Sequence, residues 1–389
     1  MRAGIIALII AYVLSQFYRA FMAVLTPVLA ADLGSSPQDL AAASGYWFLA
    51  FAVMQIPVGA ALDRVGPRQT AAGLLTIAAI GAAVFAGAQG QGAIKLAMIL
   101  IGVGCSPILM ASYYIFARSF SPAVFGTLAG MVIGIGSFGN LAASVPLRMS
   151  VDAFGWRGTM WGLASLTLTT AAAILVLVRD PPRFETTSTG SLFDLLRLPQ
   201  LWPILLFMAS CYAPSAGLRG LWTGPYLADV FDADALQIGR VTFVMGLAMV
   251  AGNFAYGPLD RILHTRKWLI FCGNLMMLAC LLLLWHKPDQ SETRAMILLG
   301  GVGFFGASFP MVMAHGRAFL PPHLVGRGVT LINLFGIGAA GMMQFATGRL
   351  HASIASPPAE APYAALFLFY AVLVATGLLI YLFSKDRTD

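Results

Sequence analysis

Long apolar runs separated by short polar intervals dominate this chain. A helix needs about 20 predominantly apolar residues to cross the hydrocarbon core of a bilayer, and twelve runs reach or approach that length. The predicted spans are 4–31, 39–62, 70–90, 95–117, 124–148, 158–178, 202–228, 236–259, 268–286, 295–316, 328–349 and 361–384. The chain is 59% hydrophobic and only 10% charged, whereas soluble domains carry about 25% charged residues. The pattern predicts an all-α membrane protein with 12 transmembrane helices, embedded in the lipid bilayer.

The basic residues predict how these helices are oriented. When the N-terminus is placed inside, most of the lysines and arginines fall in inside-facing loops, as the positive-inside rule requires. Both termini are therefore predicted to be cytoplasmic, with the protein in the cytoplasmic (inner) membrane. The net charge of +7 is scattered over one membrane face, so it is a topology signal and does not indicate a nucleic-acid partner. The four cysteines fall in apolar runs and are predicted to be buried thiols.

The chain divides into two halves that resemble each other. Its longest polar interval, Arg179–Gln200, is predicted to be a cytoplasmic linker (179–200) that contains a short amphipathic helix, between an N-terminal bundle (1–178) and a C-terminal bundle (201–389). "ARSFSP" (117–122) is matched by "GRAFLPP" (316–322), and "GIGSFG" (134–139) by "GIGAAG" (336–341). Each glycine string fits the dinucleotide pattern G-x-G-x-x-G, but both lie within membrane spans, so helix packing is the better interpretation. Internal repeats of this kind are typical of transporters.

A loop motif adds a family resemblance. "GAALDRVGPRQT" (59–70), between the second and third spans, resembles the major facilitator superfamily signature G-x-x-x-D-R-x-G-R-[RK], and "GPLDRILHTRK" (257–267) resembles it more weakly in the second half. The resemblance implies two pseudo-symmetric six-helix bundles around a central cavity, transport by alternating access, and function as a monomer. It also implies a cytoplasmic gate in which Asp63 pairs with the start of a neighbouring helix or with Arg118. The gating candidates are Gly59, Asp63, Arg64, Gly66, Arg68, Arg118, Asp260, Arg261 and Arg317. The alternative for Arg64 and Arg68 is a role as topology anchors only.

Two arginines lie at membrane depth. Arg19 and Arg219 fall inside predicted spans, while all 16 acidic residues map to loops or helix ends. Arginine at the bilayer centre costs at least about 2.5–3.5 kcal/mol on insertion scales. Its planar guanidinium matches carboxylate or phosphate geometry. The two arginines therefore predict an anionic substrate, held by both halves.

The first two spans sharpen this prediction. Arg19, followed by Pro27 and by "GYWFLAFAVMQIPVGAALDRVGPR" (45–68), resembles the organic-anion and organophosphate branches of the superfamily, which place an arginine in the first helix. The organophosphate antiporters have a second arginine in the seventh helix, where Arg219 lies. Aligning Pro27 with Pro225 leaves Arg219 two residues out of register with Arg19, a rotation of about 200° on a regular helix. Pro214, Gly217 and Gly220 are placed to break that helix.

Other polar and aromatic residues within the spans are candidates to line the substrate site, with packing as the alternative role for each: Tyr18, Tyr113, Tyr114, Gln55, Trp222, Asn140, Asn333 and Gln344. His315, near the cytoplasmic end of the tenth span, is a candidate for proton coupling or for capping a neighbouring helix.

Three other functions remain open. Drug or lipophilic-compound efflux fits the fold equally well. Metal-ion import is suggested by Met311, Met313 and His315, since thioethers suit Cu(I), although methionine is also a common packing residue. An enzyme is disfavoured, because the sequence shows no nucleophile motif, no metal-ligand cluster and no soluble catalytic domain, and its loops are short. We therefore predict a secondary transporter of a small organic or inorganic anion, with no cofactor and no metal.

Overall fold

The protein folds into two compact helical units. The computed structural model describes residues 2–120, 122–181, 195–321, 325–354 and 358–387. The units are Met1–Thr186 and Thr187–Asp389. Most of the predicted linker and its amphipathic helix lie outside the described residues, so those expectations stay predictions.

The described part of the first unit forms eight helices: α1 (Arg2–Phe17), α2 (Met22–Leu33), α3 (Pro37–Arg64), α4 (Pro67–Ala86), α5 (Gln91–Cys105), α6 (Ile108–Ser119), α7 (Pro122–Ala142) and α8 (Val145–Leu177). Helix α1 packs on α7, and α4 packs against both α5 and α8. Helix α8 is kinked at Gly155, whose φ of 68° breaks the helical geometry.

The second unit continues the helical pattern. After a 3₁₀ turn (Pro199–Leu201), its elements are α9 (Trp202–Cys211), α10 (Ala213–Gly217), a π-helical segment (Leu218–Trp222), α11 (Thr223–Phe231), α12 (Ala235–Leu263), α13 (Arg266–His286), α14 (Glu292–Phe305), a 3₁₀ turn (Gly306–Ser308), α15 (Phe309–Arg317), α16 (Val325–Ser353) and α17 (Ala361–Tyr381).

These elements agree with the predicted membrane spans. Among the described residues, ten helices are long and apolar enough to cross a membrane, and a bent pair, Ala3–Phe17 with Met22–Leu33, makes up to eleven. The fifth predicted span, 124–148, falls on α7 (Pro122–Ala142). Its predicted end was too late, because the non-helical Ser144 separates α7 from α8. The all-α membrane fold is confirmed.

Local sequence signals set several helix ends. Ser36 caps α3 by accepting a hydrogen bond from the Asp39 amide, and Asp234 forms a capping box with Gln237 at the start of α12. Such caps satisfy amides that a helix leaves without internal partners.

The glycine string in α7 serves close helix packing. A Cβ at Gly136 would collide with the Tyr12 ring, and one at Gly139 with the Val13 carbonyl oxygen, so α7 lies directly on α1. This supports the packing interpretation of G-x-G-x-x-G.

The prediction that all four cysteines are buried was wrong for Cys272, which is exposed on an apolar helix face where lipid makes burial in protein unnecessary. Cys105, Cys211 and Cys280 are buried.

Candidate functional site

Arg19 lies where the first membrane helix breaks. Helix α1 ends at Phe17 and α2 begins at Met22, and the two axes differ by 53°. The intervening residues form a turn in which the Ala20 amide donates to the Phe17 carbonyl at 2.9 Å, one residue tighter than an α-helical bond. We call residues 18–21 the Arg19 turn. Discontinuous helices of this kind form the substrate sites of many transporters.

The Arg19 guanidinium rests on an aromatic floor supplied by α3. Its central carbon is 4.8 Å from the Phe51 ring centroid and 5.4 Å from that of Trp47. The two rings stack on each other, with centroids 5.2 Å apart. Within the described residues, Arg19 is half-buried, forms no ion pair, and its Nε has no hydrogen-bond partner. Cation–π contacts of this kind contribute about 0.5–2 kcal/mol, and they leave the N–H donors without acceptors.

Two neighbouring candidates hold this arrangement in place. Tyr18 is buried, and its hydroxyl hydrogen-bonds the Thr167 hydroxyl of α8 at 2.9 Å, which anchors the Arg19 turn. Gln55, one turn beyond Phe51, donates from its amide to the Phe51 and Ser106 carbonyls at 3.2 and 3.3 Å, and so joins α3 to the end of α5. In this conformation Tyr18 holds the Arg19 turn and Gln55 holds α3, and contact of either side chain with a substrate stays a prediction.

The remaining candidates of the first unit lie on α6 and α7. Tyr113 and Tyr114 are half-buried, and the Arg118 guanidinium lies 4.1 Å from the Tyr114 ring centroid. Asn140 is buried in α7. Their assignment to the substrate site stays a prediction.

Arg219 lies within the π-helical segment Leu218–Trp222, which we call the π segment. Pro225 lacks the amide that would bond the Leu221 carbonyl in a regular helix, and Gly217 and Gly220 flank Arg219 at low steric cost, so the sequence favours an irregular turn. Single π turns are frequent at functional sites. Arg219 is only 5% exposed. The proline and glycine positions thus indicated an irregular helix, and the irregularity is a π turn inside the continuous span Pro199–Phe231.

The other candidates of the second unit surround the π segment. The Trp222 indole N–H donates to the Thr347 hydroxyl at 3.0 Å, and its ring stacks on His351 with centroids 5.0 Å apart. Gln344 is fully buried one turn before Thr347, and neither of its amide atoms has a partner among the described residues. Asn333 is half-buried in α16.

The loop motif of the first unit turns at Gly66. Its φ of 104° is open only to glycine at low cost, and it forms the N-cap position of α4. The Asp180 carboxylate, just after the last helix of the unit, lies against Gly66 and accepts a 2.8 Å hydrogen bond from the Arg68 amide. Gly59 has open space where a Cβ would stand, and Arg64 is exposed. The Asp63 side chain lies outside the described part, so its pairing with Arg118 stays a prediction.

The second unit repeats this arrangement with a different turn residue. His264 takes the left-handed conformation, with φ 50°, and α13 begins two residues later. Asp386, beyond the last helix, accepts hydrogen bonds from the Arg266 amide at 3.1 Å, the Lys267 amide at 3.0 Å and the Thr265 hydroxyl. Partial burial raises the pKa of Asp386, but these hydrogen bonds outweigh it and hold the pKa below its ordinary value.

The remaining gating candidates lie in the second unit. Asp260 forms an ion pair with Arg266 at 3.2 Å, and Arg317 is exposed. The Arg261 side chain lies outside the described part. The capping roles of Asp180 and Asp386 were not predicted from the sequence. A signal was present, because a basic–acidic pair, Arg179–Asp180 or Lys385–Asp386, follows the last helix of each half.

His315 joins three elements of the second unit at the end of α15. Its Nε2 lies 2.9 Å from the Lys385 carbonyl oxygen and its Nδ1 lies 2.7 Å from the Tyr381 hydroxyl. A carbonyl only accepts, so Nε2 carries the proton and Tyr381 donates to Nδ1. Both nitrogens are thus used to hold α17 and the segment after it, which leaves neither for a metal ion in this conformation. A role in proton coupling stays a prediction.

Known proteins resemble this chain along nearly its whole length. The probable L-galactonate transporter of Escherichia coli (strain K12) is 22% identical over 338 residues, covering 79% of this chain and 73% of the relative. The crystal structure of a D-xylose-proton symporter superposes with a TM-score of 0.79 at 14% identity, covering 100% of this chain and 99% of that one. A bacterial homolog of the human lysosomal transporter Spinster, in an inward-facing and occupied conformation, gives 0.73 at 16% identity, with 97% and 95% covered.

The family profile agrees with these likenesses. The sequence profile of the Major Facilitator Superfamily matches residues 8–343, a range that includes both arginine breaks and both loop motifs. The chain is a multi-pass membrane transporter that belongs to the major facilitator superfamily.

Proposed function

We propose that this protein transports a small organic anion across the cytoplasmic membrane by alternating access, and that Arg19 binds the carboxylate of that anion. The observation that carries the proposal is the state of Arg19: a guanidinium at a helix break, resting on Trp47 and Phe51, with an Nε that has no partner in the described chain. The transporter acts as a monomer with both termini in the cytoplasm. Labelling of a cysteine placed at Ser188, from outside intact cells, would contradict that orientation.

A purely structural arginine would be built differently. An arginine that only ties helices together bonds helix carbonyls or a carboxylate, because a buried N–H group without an acceptor is costly. Arg19 instead contacts aromatic faces, which stabilise its charge. These rings do not accept hydrogen bonds from its N–H groups, because those groups point outward in the plane of the guanidinium. A carboxylate offers two oxygens in the geometry that a guanidinium fork matches. The site is therefore suited to an anion that binds and is released during transport.

The named relative supports a carboxylate over other anions. The E. coli protein is described as a probable L-galactonate transporter, and L-galactonate is a hydroxylated monocarboxylate. At 22% identity the relative gives a class of substrate to test first. Efflux of lipophilic cations is the competing function, and it predicts the opposite ligand charge.

Uptake into proteoliposomes tests the proposal directly. Wild type should accumulate labelled L-galactonate, and inorganic phosphate or tetraphenylphosphonium should compete poorly. Arg19→Lys keeps the charge but loses the planar fork, so it should reduce affinity roughly 10- to 150-fold, the equivalent of about 1.5–3 kcal/mol for a charge-assisted contact. Arg240→Lys, a matched change at an exposed arginine, should transport normally. Preference for the cation, or normal anion transport by Arg19→Lys, would refute the proposal.

We also propose that the loop motif of the first unit biases the conformational equilibrium without contacting substrate. Asp63→Asn should slow uptake while leaving the affinity for L-galactonate within a few-fold, since a gate changes the populations of states. Uptake rates and equilibrium binding on the same preparation separate the two effects. A large loss of affinity with turnover intact would place Asp63 in the substrate site instead.

A further inference from the structure

Gln344 is an unusual residue for the interior of a helical unit. It is 0% exposed in α16, and among the described residues neither its Nε2 nor its Oε1 has a hydrogen-bond partner. Buried side-chain amides almost always have partners, because an unpaired donor or acceptor loses its water without compensation. A side chain that is both buried and unsatisfied in one conformation therefore indicates a partner in another.

The position of Gln344 connects it to the π segment. Its Nε2 lies 3.6 Å from where a Cβ on Gly217 would stand, and the Tyr370 hydroxyl packs directly on the same glycine. Gly217 immediately precedes the π segment, which contains Arg219. An amide, a phenol and an arginine-bearing turn are thus adjacent within the second unit.

Tyr370, like Gln344, is buried without a hydrogen-bond partner in the described part of the chain. It is 0% exposed, and its hydroxyl has no partner in hydrogen-bonding geometry among the described residues. The Thr347 hydroxyl lies beside it. That hydroxyl donates to the Met343 and Gln344 carbonyls and accepts from Trp222, so it keeps one acceptor lone pair, but the Tyr370 hydroxyl does not meet it in hydrogen-bonding geometry. Tyr370 and Gln344 therefore present unused hydrogen-bonding capacity at one point, against Gly217.

The chemistry of this pair suits hydroxyl groups. A carboxylate only accepts hydrogen bonds, whereas an amide and a phenol both donate and accept, as an alcohol does. Building on the proposed anion transport, we propose that Gln344 and Tyr370 recognise the hydroxyl groups of the substrate and so select polyhydroxylated carboxylates over plain ones of equal chain length. Both side chains are closed off in this conformation, so contact requires the turn from Gly217 through the π segment to shift. Irregular turns of this kind are common at functional sites.

Competition against uptake of labelled L-galactonate tests this selectivity. Unlabelled L-galactonate and hexanoate, which has the same carbon chain without hydroxyls, are titrated into proteoliposomes of wild type, Gln344→Met and Tyr370→Phe. Wild type should prefer L-galactonate strongly. Gln344→Met should reduce that preference about tenfold, and Tyr370→Phe several-fold, by weakening L-galactonate and not hexanoate. Tyr256→Phe removes a hydroxyl that already donates to the Phe305 carbonyl at 2.8 Å, so it should leave the preference unchanged.

Thermal stability separates recognition from structure. Gln344→Met and Tyr370→Phe should melt at or above the wild-type temperature, because they remove unsatisfied groups, whereas Tyr256→Phe should melt lower. A lower melting temperature for Gln344→Met, an unchanged preference, or an equal loss for both carboxylates would overturn the inference while leaving anion transport intact. If no carboxylate competes in wild type, the proposed function fails and this inference fails with it.

Discussion

The Arg19 turn and the π segment each place an arginine where a helix is irregular, but by different means. In the first unit the helix stops at Phe17 and resumes at Met22, at an angle of 53°. In the second unit the helix continues through a π turn that contains Arg219. Arg19 is half-buried on two aromatic rings, while Arg219 is only 5% exposed. What the two halves share is an arginine at an irregular turn.

The two loop motifs also reach a similar geometry with different residues. Both units cap the helix after the motif with an aspartate from beyond their last helix, Asp180 in one and Asp386 in the other. The turn before that helix is made by glycine in the first unit and by a left-handed histidine in the second. The repeat thus preserves a backbone geometry and a capping charge more closely than it preserves residue identity.

The largest expected difference is between the two arginines. Arg19→Lys and Arg219→Lys should each weaken L-galactonate binding roughly 10- to 150-fold if both contact the anion. Only Arg219→Lys should also lower the melting temperature, because Arg219 is almost fully buried and Arg19 is not. Equilibrium binding and thermal melting of both variants give the answer. Wild-type affinity in Arg219→Lys, together with a lower melting temperature, would make Arg219 structural and leave Arg19 as the anion site.

A smaller effect is expected at the turn residues. Gly66→Ala should destabilise the protein by about 1–3 kcal/mol, because φ of 104° is strained for any side chain and the new Cβ would crowd the Asp180 carboxylate. His264→Gly should stabilise by about 0.5–1 kcal/mol, since glycine is the favoured residue after a helix end. Melting temperatures of the two variants should therefore move in opposite directions. A shift in the same direction would mean that the two turns are not equivalent.

The smallest effect concerns the capping acids. Asp386→Ala should cost about 1 kcal/mol, the ordinary worth of a helix cap that solvent partly screens. Asp180→Ala should cost less, because among the described residues Asp180 accepts from one amide and Asp386 accepts from two amides and a hydroxyl. The pKa of Asp386 is lowered on folding, so its contribution is full above the unfolded value of about 3.9.

That contribution is lost as the pH falls through the lower folded pKa of Asp386. The difference in melting temperature between wild type and Asp386→Ala should therefore hold from neutrality down to about pH 4 and shrink below it. A difference that grows as the pH falls would contradict the capping role.

Much of the fold was readable from the chain. Hydropathy located the membrane helices. The proline and glycine positions around Arg219 indicated an irregular helix. The Arg19 turn was not predictable in this way, because "YRAF" contains neither glycine nor proline and its geometry depends on Tyr18 bonding Thr167, far along the chain. The aromatic floor was likewise hidden, since Trp47 and Phe51 are ordinary residues of an apolar helix until Arg19 packs on them.

The sequence by itself determined that this protein lies in a membrane, that its motifs repeat, and that two arginines fall inside apolar spans. These features depend on the transfer of each segment from water to lipid and on local backbone preferences, which composition and spacing express directly. Only the tertiary structure decided what each arginine contacts, which polar groups lack a partner, and which acids cap which helices. Those outcomes depend on contacts between residues far apart in the chain, such as Arg19 with Phe51, Gln344 with Gly217 and Arg266 with Asp386, and no local pattern encodes them.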